Sequence, residues 1–278
     1  MGVLNLTPDS FSDGGRLETT RAVVRAAERM LAQGADLLDL GAQSTRPGAV
    51  MVGPDEELRR LLPALRALQP LRRQHPGVPI SIDTFEAAVA EAALAEGADW
   101  INDVRGGSGR RDAGMAALVA QRGCPYVLMH SRGDSRTMDE LAVYVDVVAE
   151  VRAELQSATE SLLTAGVQPE QIIWDPGLGF AKTTAQNLEL LRRLDELMAA
   201  GYPLLLGPSR KRFIGAVLAE PRPRARLWGT AAVCAVAAAR GAAVLRVHDV
   251  GPIAQVVRMA TALTAAAPPL EAERGAAC

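Results

Sequence analysis

The residue types best suited to chemistry in this chain gather in a few short stretches. The first is Asn5, Thr7, Asp9, Ser10, Ser12 and Asp13, which follows the apolar pair Val3-Leu4 and ends at Gly14-Gly15. These are oxygen ligands and hydroxyls of the kind that hold metals or anions. The second is Ser44-Thr45-Arg46-Pro47-Gly48, where a guanidinium and two hydroxyls share a loop held by Pro and Gly. Arginine forms paired hydrogen bonds to phosphate oxygens that lysine cannot match. Ser209-Arg210-Lys211 and Arg246-Val247-His248 repeat the theme of cations beside hydroxyl or imidazole. Arg246 and His248 are two apart, so on a strand they share a side, as a phosphate or pyrophosphate site needs. Asp83, Asn102 and Asp175 differ, because each ends a strongly apolar run and must be partly buried with partners. Carboxylates and an amide in one pocket suit a flat ligand with adjacent N–H donors, such as an aminopyrimidinone ring. The alternative for Asp83 and Asp175 is helix N-capping. Asp39 lies inside its strand and reads as a structural, hydrogen-bonded residue. Asp175-Pro176-Gly177-Leu178-Gly179-Phe180 is a stiff loop ending in an aromatic, fit to wall off a second flat substrate.

The elements that must position these residues follow a repeated plan. Ala32-Gln33-Gly34-Ala35-Asp36 leads into Leu37–Gly41, Ala95-Glu96-Gly97-Ala98-Asp99 into Trp100–Asp103, and Arg240-Gly241-Ala242 into Ala243–Asp249. Each reads as helix end, glycine, strand and polar tip, with weaker copies at Gly123, Gly166 and Gly201. Strands are expected at 2–6, 36–40, 78–82, 99–101, 126–129, 172–174, 203–206 and 243–247. Between them fall helical faces: Val23, Ala27, Met30 and Leu31; Leu141, Val145, Val148 and Ala149; Leu190, Leu194, Leu197 and Met198. Thr183 with Gln186 forms a capping box, and Pro54 followed by Asp55-Glu56-Glu57 marks another helix start. Eight alternating units predict a single α/β domain, a (β/α)8 barrel of the TIM type, over 1–278. A doubly wound sheet is the runner-up, but no Gly-x-Gly-x-x-Gly follows the first strand. In a barrel every strand exit converges on one face, where Asn5, Asp83, Asn102, Asp103, His130, Asp175, Lys211, Arg246 and His248 would meet. The tail from about residue 266 is expected to fray. A strand within two residues of Met1 is either an abrupt beginning or one preceded by a short extension.

Composition excludes several classes. With 30 Lys plus Arg against 32 Asp plus Glu, there is no general attraction for nucleic acid, so any basic function is local. The three cysteines, Cys124, Cys234 and Cys278, show neither disulfide nor metal spacing, which points to a reducing, cytoplasmic setting. Ala231–Ala239 is the most apolar stretch and is far short of the about 20 residues a membrane span needs. No membrane and no nucleic-acid partner is expected.

Together, Asn5-Leu6-Thr7-Pro8-Asp9-Ser10-Phe11-Ser12-Asp13-Gly14-Gly15, Ser44-Thr45-Arg46-Pro47-Gly48, Asp175-Pro176-Gly177, Ser209-Arg210-Lys211 and Arg246-Val247-His248 resemble the dihydropteroate synthases of folate biosynthesis, in order from Gly2 to about His248. The resemblance implies a Mg2+-dependent transferase in a (β/α)8 barrel. It would join 6-hydroxymethyl-7,8-dihydropterin diphosphate to 4-aminobenzoate and release pyrophosphate by dissociative displacement. It implies that Asp83, Asn102, Asp175 and Lys211 bind the pterin and that Asn5 is the metal ligand. Thr45, Arg46, Arg246 and His248 would contact the diphosphate, and Pro47, Phe180, Ser209 and Lys211 the aminobenzoate pocket, which sulfonamides also occupy. Asp9 and Asp13, on a mobile covering loop, would act with Lys211 and Arg246 in the chemical step, and the protein would be a homodimer. Departures are Gln43 where Glu is expected, Leu178 where Phe is common, Pro208 before Ser209, and the loop Ser131-Arg132-Gly133-Asp134. Two other readings share the pterin carboxylates: a methyltetrahydrofolate-dependent methyltransferase, which would not need the diphosphate set, and a non-catalytic pterin-binding homologue.

Overall fold

The computed structural model describes residues 1–6, 20–43, 51–109 and 111–264. Eight parallel strands form the centre: β1 (Gly2–Asn5), β2 (Leu38–Gly41), β3 (Ile80–Asp83), β4 (Trp100–Asp103), β5 (Tyr126–Met129), β6 (Ile172–Asp175), β7 (Leu205–Leu206) and β8 (Val244–Leu245). The order β1 to β6 is continuous, and β7 pairs with β8. Backbone bridges Trp174–Leu204 and Gly2–Val247 join the two sheets and close the barrel. All eight expected strands are present within a residue or two of their predicted bounds. β8 is shorter than expected, but Val247 still exchanges backbone hydrogen bonds with Met1 and Val3, at 2.9 and 3.0 Å.

The connections are helical: α1 (Thr20–Ala32), α2 (Pro54–Gln74), α3 (Ala87–Ala95), α4 (Met115–Arg122), α5 (Val147–Thr164), α6 (Thr184–Arg192), α7 (Leu194–Met198), α8 (Arg212–Leu218), α9 (Leu227–Ala239) and α10 (Val250–Thr264). The glycines that punctuate helix and strand, Gly34, Gly97, Gly123, Gly166, Gly201 and Gly241, all have positive φ. Thr183 and Gln186 cap α6 reciprocally, as read from sequence, and Pro54 opens α2.

Two expected helical faces differ. Leu141 and Val145 lie before α5 and are exposed, because Asp146 accepts from Val148 and Ala149 N–H and so starts the helix at Val147. The apolar face from Leu190 to Met198 is divided at Arg193, whose guanidinium pairs with Asp146 at 3.1 Å, although Leu190, Leu194 and Leu197 are still buried.

Strand side chains alternate between two apolar environments. Val127, Ile173 and Leu205 pack with Met1, Trp100 and Val244 as a plug inside the barrel, Trp100 and Ile173 lying two residues before Asn102 of β4 and Asp175 of β6. The opposite set, Ile101, Tyr126, Leu128 and Trp174 among them, packs on the helices. Trp174 is fully buried, stacks on Tyr202 at 5.0 Å and donates from Nε1 to Thr159 Oγ1 at 2.9 Å. That contact fixes β6 against α5 immediately before Asp175. Burying one such side chain contributes about 1.5–3 kcal/mol.

Candidate active site

At the C-terminal mouth of the barrel, β2, β3, β6 and β8 bring three acids to one arginine. Arg246 donates from Nε to Asp39 Oδ2 at 2.7 Å and from Nη2 to Asp83 Oδ2 at 2.7 Å. Asp39 is wholly buried, so the residue read as structural from its place inside β2 is the counter-charge for a site arginine. Burial pushes the Asp83 carboxyl above the usual carboxylate range; Arg246 opposes this and Asp39 adds to it. Arg246 Nη1 has no acceptor among the described residues and remains able to bind an anion. Asp83 does not cap a helix; α3 begins beyond Glu86.

Asn102 is paired with Asp83 across β3 and β4 and is 3 % exposed. Its amide finds no hydrogen-bond partner among the described residues. Asp175 is likewise not a helix cap, because α6 starts at Thr184 under Thr183. Asp175 accepts from Gly177 N–H at 2.7 Å, and burial lifts its carboxyl to about 6 against the pull of Gly177, Lys211, Arg246 and Lys182. Lys211 places its Nζ 4.2 Å from the centre of the Phe180 ring. Burial lowers the Lys211 ammonium to about 8, with Asp175 and Asp83 opposing. Asp83, Asp175, Lys211 and Arg246 therefore form one electrostatic neighbourhood, with the Asn102 amide beside Asp83 across the strands. Such a set recognises a planar ligand carrying adjacent N–H donors and a carbonyl.

Beside it opens a pocket with Phe85, Val104, Arg105, Ser131 and Phe180 in its walls. Phe180 thus borders both the pocket and Lys211, as a wall between two substrates would. Ser209 Oγ lies 3.0 Å from His248 Nδ1 and accepts from His248 N–H at 3.2 Å, which ties the tips of β7 and β8 together. Arg210, in contrast, is structural. Its guanidinium pairs with Asp249 at 2.7 and 3.0 Å, its carbonyl accepts from Arg226, and its φ is positive. Its N–H donates to Thr230 Oγ1 at 3.2 Å.

Some sequence-derived positions lie outside the described residues: Asp9 and Asp13, Thr45, Arg46 and Pro47, and the tail from 266. Other groups show their partners only in three dimensions. Asp103 accepts from Tyr126 Oη at 2.6 Å and from Arg105 N–H at 2.8 Å, while burial raises it to about 6. Gln43, the departure after β2, donates to the buried Glu57 at 3.2 Å and accepts from Val52 N–H at 3.2 Å. Lys182, in the loop after β6, is 7 % exposed and 2.9 Å from His130 Nδ1. Its signal in the sequence is only a lysine directly after the Pro-Gly-Leu-Gly-Phe-Ala run.

Asn5 ends β1 with its side chain half-buried and without a hydrogen-bond partner among the described residues. An amide oxygen is a hard ligand that fits Mg2+, which typically takes one or two protein oxygens and completes its shell with water and phosphate. Among the described residues no cluster of three His, Cys, Asp or Glu forms a self-sufficient metal cage.

Fold and site together define a barrel enzyme that holds a flat nitrogen heterocycle at its C-terminal mouth. The pterin-binding enzyme family matches residues 1–248, and the chain belongs to it. The dihydropteroate synthase of Synechocystis sp. is 48 % identical over 95 % of this chain and 89 % of its own length. The Xanthomonas albilineans dihydropteroate synthase solved with 4-aminobenzoic acid is 42 % identical, with a TM-score of 0.87 over 96 % of this chain and 93 % of that one. A structure of the X. albilineans enzyme in complex with 7,8-dihydropteroate superposes with a TM-score of 0.81 at 36 % identity, over the same shares of the two chains.

Proposed function

We infer that the chain is a dihydropteroate synthase, a transferase that couples 6-hydroxymethyl-7,8-dihydropterin diphosphate to 4-aminobenzoate and releases pyrophosphate. The observation that carries this reading is the convergence of Asp83, Asn102, Asp175, Lys211 and Arg246 at one barrel mouth, in a chain of that family. Asp175 and Asn102 would receive the donor edge of the pterin, and the Lys211 ammonium its carbonyl. Arg246 would hold Asp83 on one side and present Nη1 to the diphosphate on the other. Thr45, Arg46 and His248 would add contacts to the leaving group. Phe180, Pro47 and Ser209 would hold the aminobenzoate, and a sulfonamide would compete there.

In the reaction the methylene C–O bond breaks, and its electron pair leaves on pyrophosphate. The aniline nitrogen gives its lone pair to the methylene carbon, and its proton passes to solvent or pyrophosphate. The aniline needs no strong base, which accords with a site built from binding groups rather than a Ser-His-Asp or Cys-His set. Mg2+, with Asn5 among its ligands, would neutralise charge on the departing oxygens. Asp9 and Asp13 would favour positive charge at the methylene carbon. Purified protein should release pyrophosphate only with Mg2+, the pterin diphosphate and 4-aminobenzoate all present. A folded sample that forms no product with all three would refute the assignment, and release undiminished by chelation would refute the metal.

A homodimer is the proposed assembly, supported by the exposed apolar side chains Val217, Leu218, Trp228, Val236, Met259 and Leu263 on the last three helices. Light scattering after gel filtration would test it. The proposed compartment is the cytoplasm; among the described residues no helix is long and apolar enough to cross a membrane, and Cys124 and Cys234 are unpaired.

A further inference from the structure

The loop from Asp175 to Lys182 curls around the end of its own last side chain. Its backbone turns left-handed at alternate positions, Gly177 with φ 68°, Gly179 with φ 78° and Ala181 with φ 47°. Ala181 is a non-glycine held in a costly region, and it is fully buried. The curl aims two carbonyls inward, and Lys182 Nζ donates to both, to Phe180 O at 3.0 Å and Gly177 O at 3.3 Å. Its third N–H meets His130 Nδ1 at 2.9 Å. Three acceptors thus match the three donors of an ammonium, and a neutral amine would turn a lone pair toward one of them.

The imidazole relays the contact. With Nδ1 accepting, Nε2 carries the proton and donates to Glu154 Oε2 at 3.0 Å. Burial, then Lys182, holds His130 at about 4, consistent with this neutral tautomer. Burial draws Glu154 upward, but His130 and Arg132 outweigh it and hold the carboxyl at about 2. Arg132 also reaches Glu150 on α5 at 2.9 Å and lies over the Tyr144 ring. The line from buried Lys182 and His130 to half-buried Glu154 and Arg132 therefore ties the β6 loop to the β5 loop and to α5. It meets the binding groups only at their backbone, through Lys182 Nζ to Phe180 O and through His130 N–H to Asp175 O at 2.8 Å.

We propose that Lys182 is a positioning residue: its ammonium holds the curled β6 loop and supplies the buried positive charge that keeps Asp175 aimed and ionised for the pterin. This rests on the dihydropteroate synthase reading. Burial lowers the Lys182 ammonium to about 7, with Asp175 and Glu154 opposing and Arg132 and Lys211 adding to the fall, so it carries its charge through the acidic range in which Asp175, lifted to about 6, titrates; the charged neighbours of Asp175 are Lys211, Arg246 and Lys182. Loss of the Lys182 charge therefore removes one of three cations opposing the burial of Asp175. The Asp175 carboxyl then rises, and pterin binding fails at a higher pH than in the wild type.

The test uses full-length Lys182→Met and Lys182→Gln, with thermal unfolding, calorimetric titration of the pterin diphosphate from acid to neutral pH, and steady-state kinetics. Both variants should lower kcat/KM for the pterin substrate on the order of a hundredfold, as displaced binding groups do, and move the acidic limb of pterin binding upward. Should Lys182→Met fail to fold, Lys182→Gln decides, since it keeps two donors for the carbonyls while losing the charge. A folded Lys182→Gln with wild-type affinity and an unmoved acidic limb overturns the proposal, even if its melting temperature is lower. Failure of the wild type to bind the pterin diphosphate would instead overturn the functional reading and is seen in the same titration.

Discussion

Replacing Arg246 with methionine should unmake the charge balance at the centre of the site. The side chains of Asp39, Asp83 and Arg246 are 0 %, 11 % and 20 % exposed, so two acids are left in the barrel mouth with their shared cation gone. Removing one partner of a buried pair costs about 3–5 kcal/mol. Water that reaches Asp83 through the open mouth places this case near the lower end, at about 3 kcal/mol. For a domain of this size each kcal/mol moves the melting temperature by about 2–4 °C, so the variant should melt roughly 6–12 °C lower at pH 8. The pH dependence has a definite sign. Burial already raises the Asp83 carboxyl and Arg246 opposes that, so without Arg246 it rises further. The folded variant then binds protons more readily than its unfolded chain, and its stability falls as pH rises. The deficit against the wild type should therefore be largest at pH 8 and shrink by pH 5. Adding Asp39→Asn should recover part of the loss, since it removes the buried charge that lost its partner. Circular-dichroism melts at the two pH values suffice. A shift below 2 °C at pH 8, or a deficit that widens on acidification, would refute the reasoning.

Three further expectations follow from the same geometry. Because burial brings the Lys211 ammonium down to about 8, kcat/KM for the pterin diphosphate should fall above about that pH; Lys211→Met should lose roughly 10- to 100-fold and lose the alkaline limb, and a variant keeping the limb would assign it elsewhere. Tyr126→Phe strips the 2.6 Å donor from Asp103, which burial already raises to about 6, so melts should show a loss of about 1–3 kcal/mol; the loss is greater at pH 8 than at pH 5, since only the ionised acid misses the donor, and a pH-independent change would contradict this. At Gly177 an added Cβ would stand 1.9 Å from His130 O, at φ 68°; Gly177→Ala should displace the β6 loop and cut kcat/KM on the order of a hundredfold, and full activity would show that the loop yields freely.

Several site groups were legible because their position follows from the strand period alone. Asp83, Asn102 and Asp175 each end a short apolar run, and a parallel barrel carries all strand ends to one face. Gly34, Gly97 and Gly241 announced the helix ends, since few other residues accept positive φ. Leu141 and Val145 misled for the opposite reason: their spacing fits a helical face, but the side chain of Asp146 captures the first free N–H groups and starts α5 after them. Spacing cannot show which competing local hydrogen bond wins.

The sequence by itself determined the alternating β/α units, the closed barrel they imply and the side of it on which chemistry must occur, because these depend on periods of a few residues and on glycine and proline stereochemistry. Only the tertiary structure decided who pairs with whom. Asp39 meets Arg246 across 207 positions of chain, Arg210 turns to Asp249 rather than to a ligand, and Lys182 reaches His130 to join the β6 loop to its neighbour. Charges act through space, and barrel closure, not sequence distance, sets the separation between them.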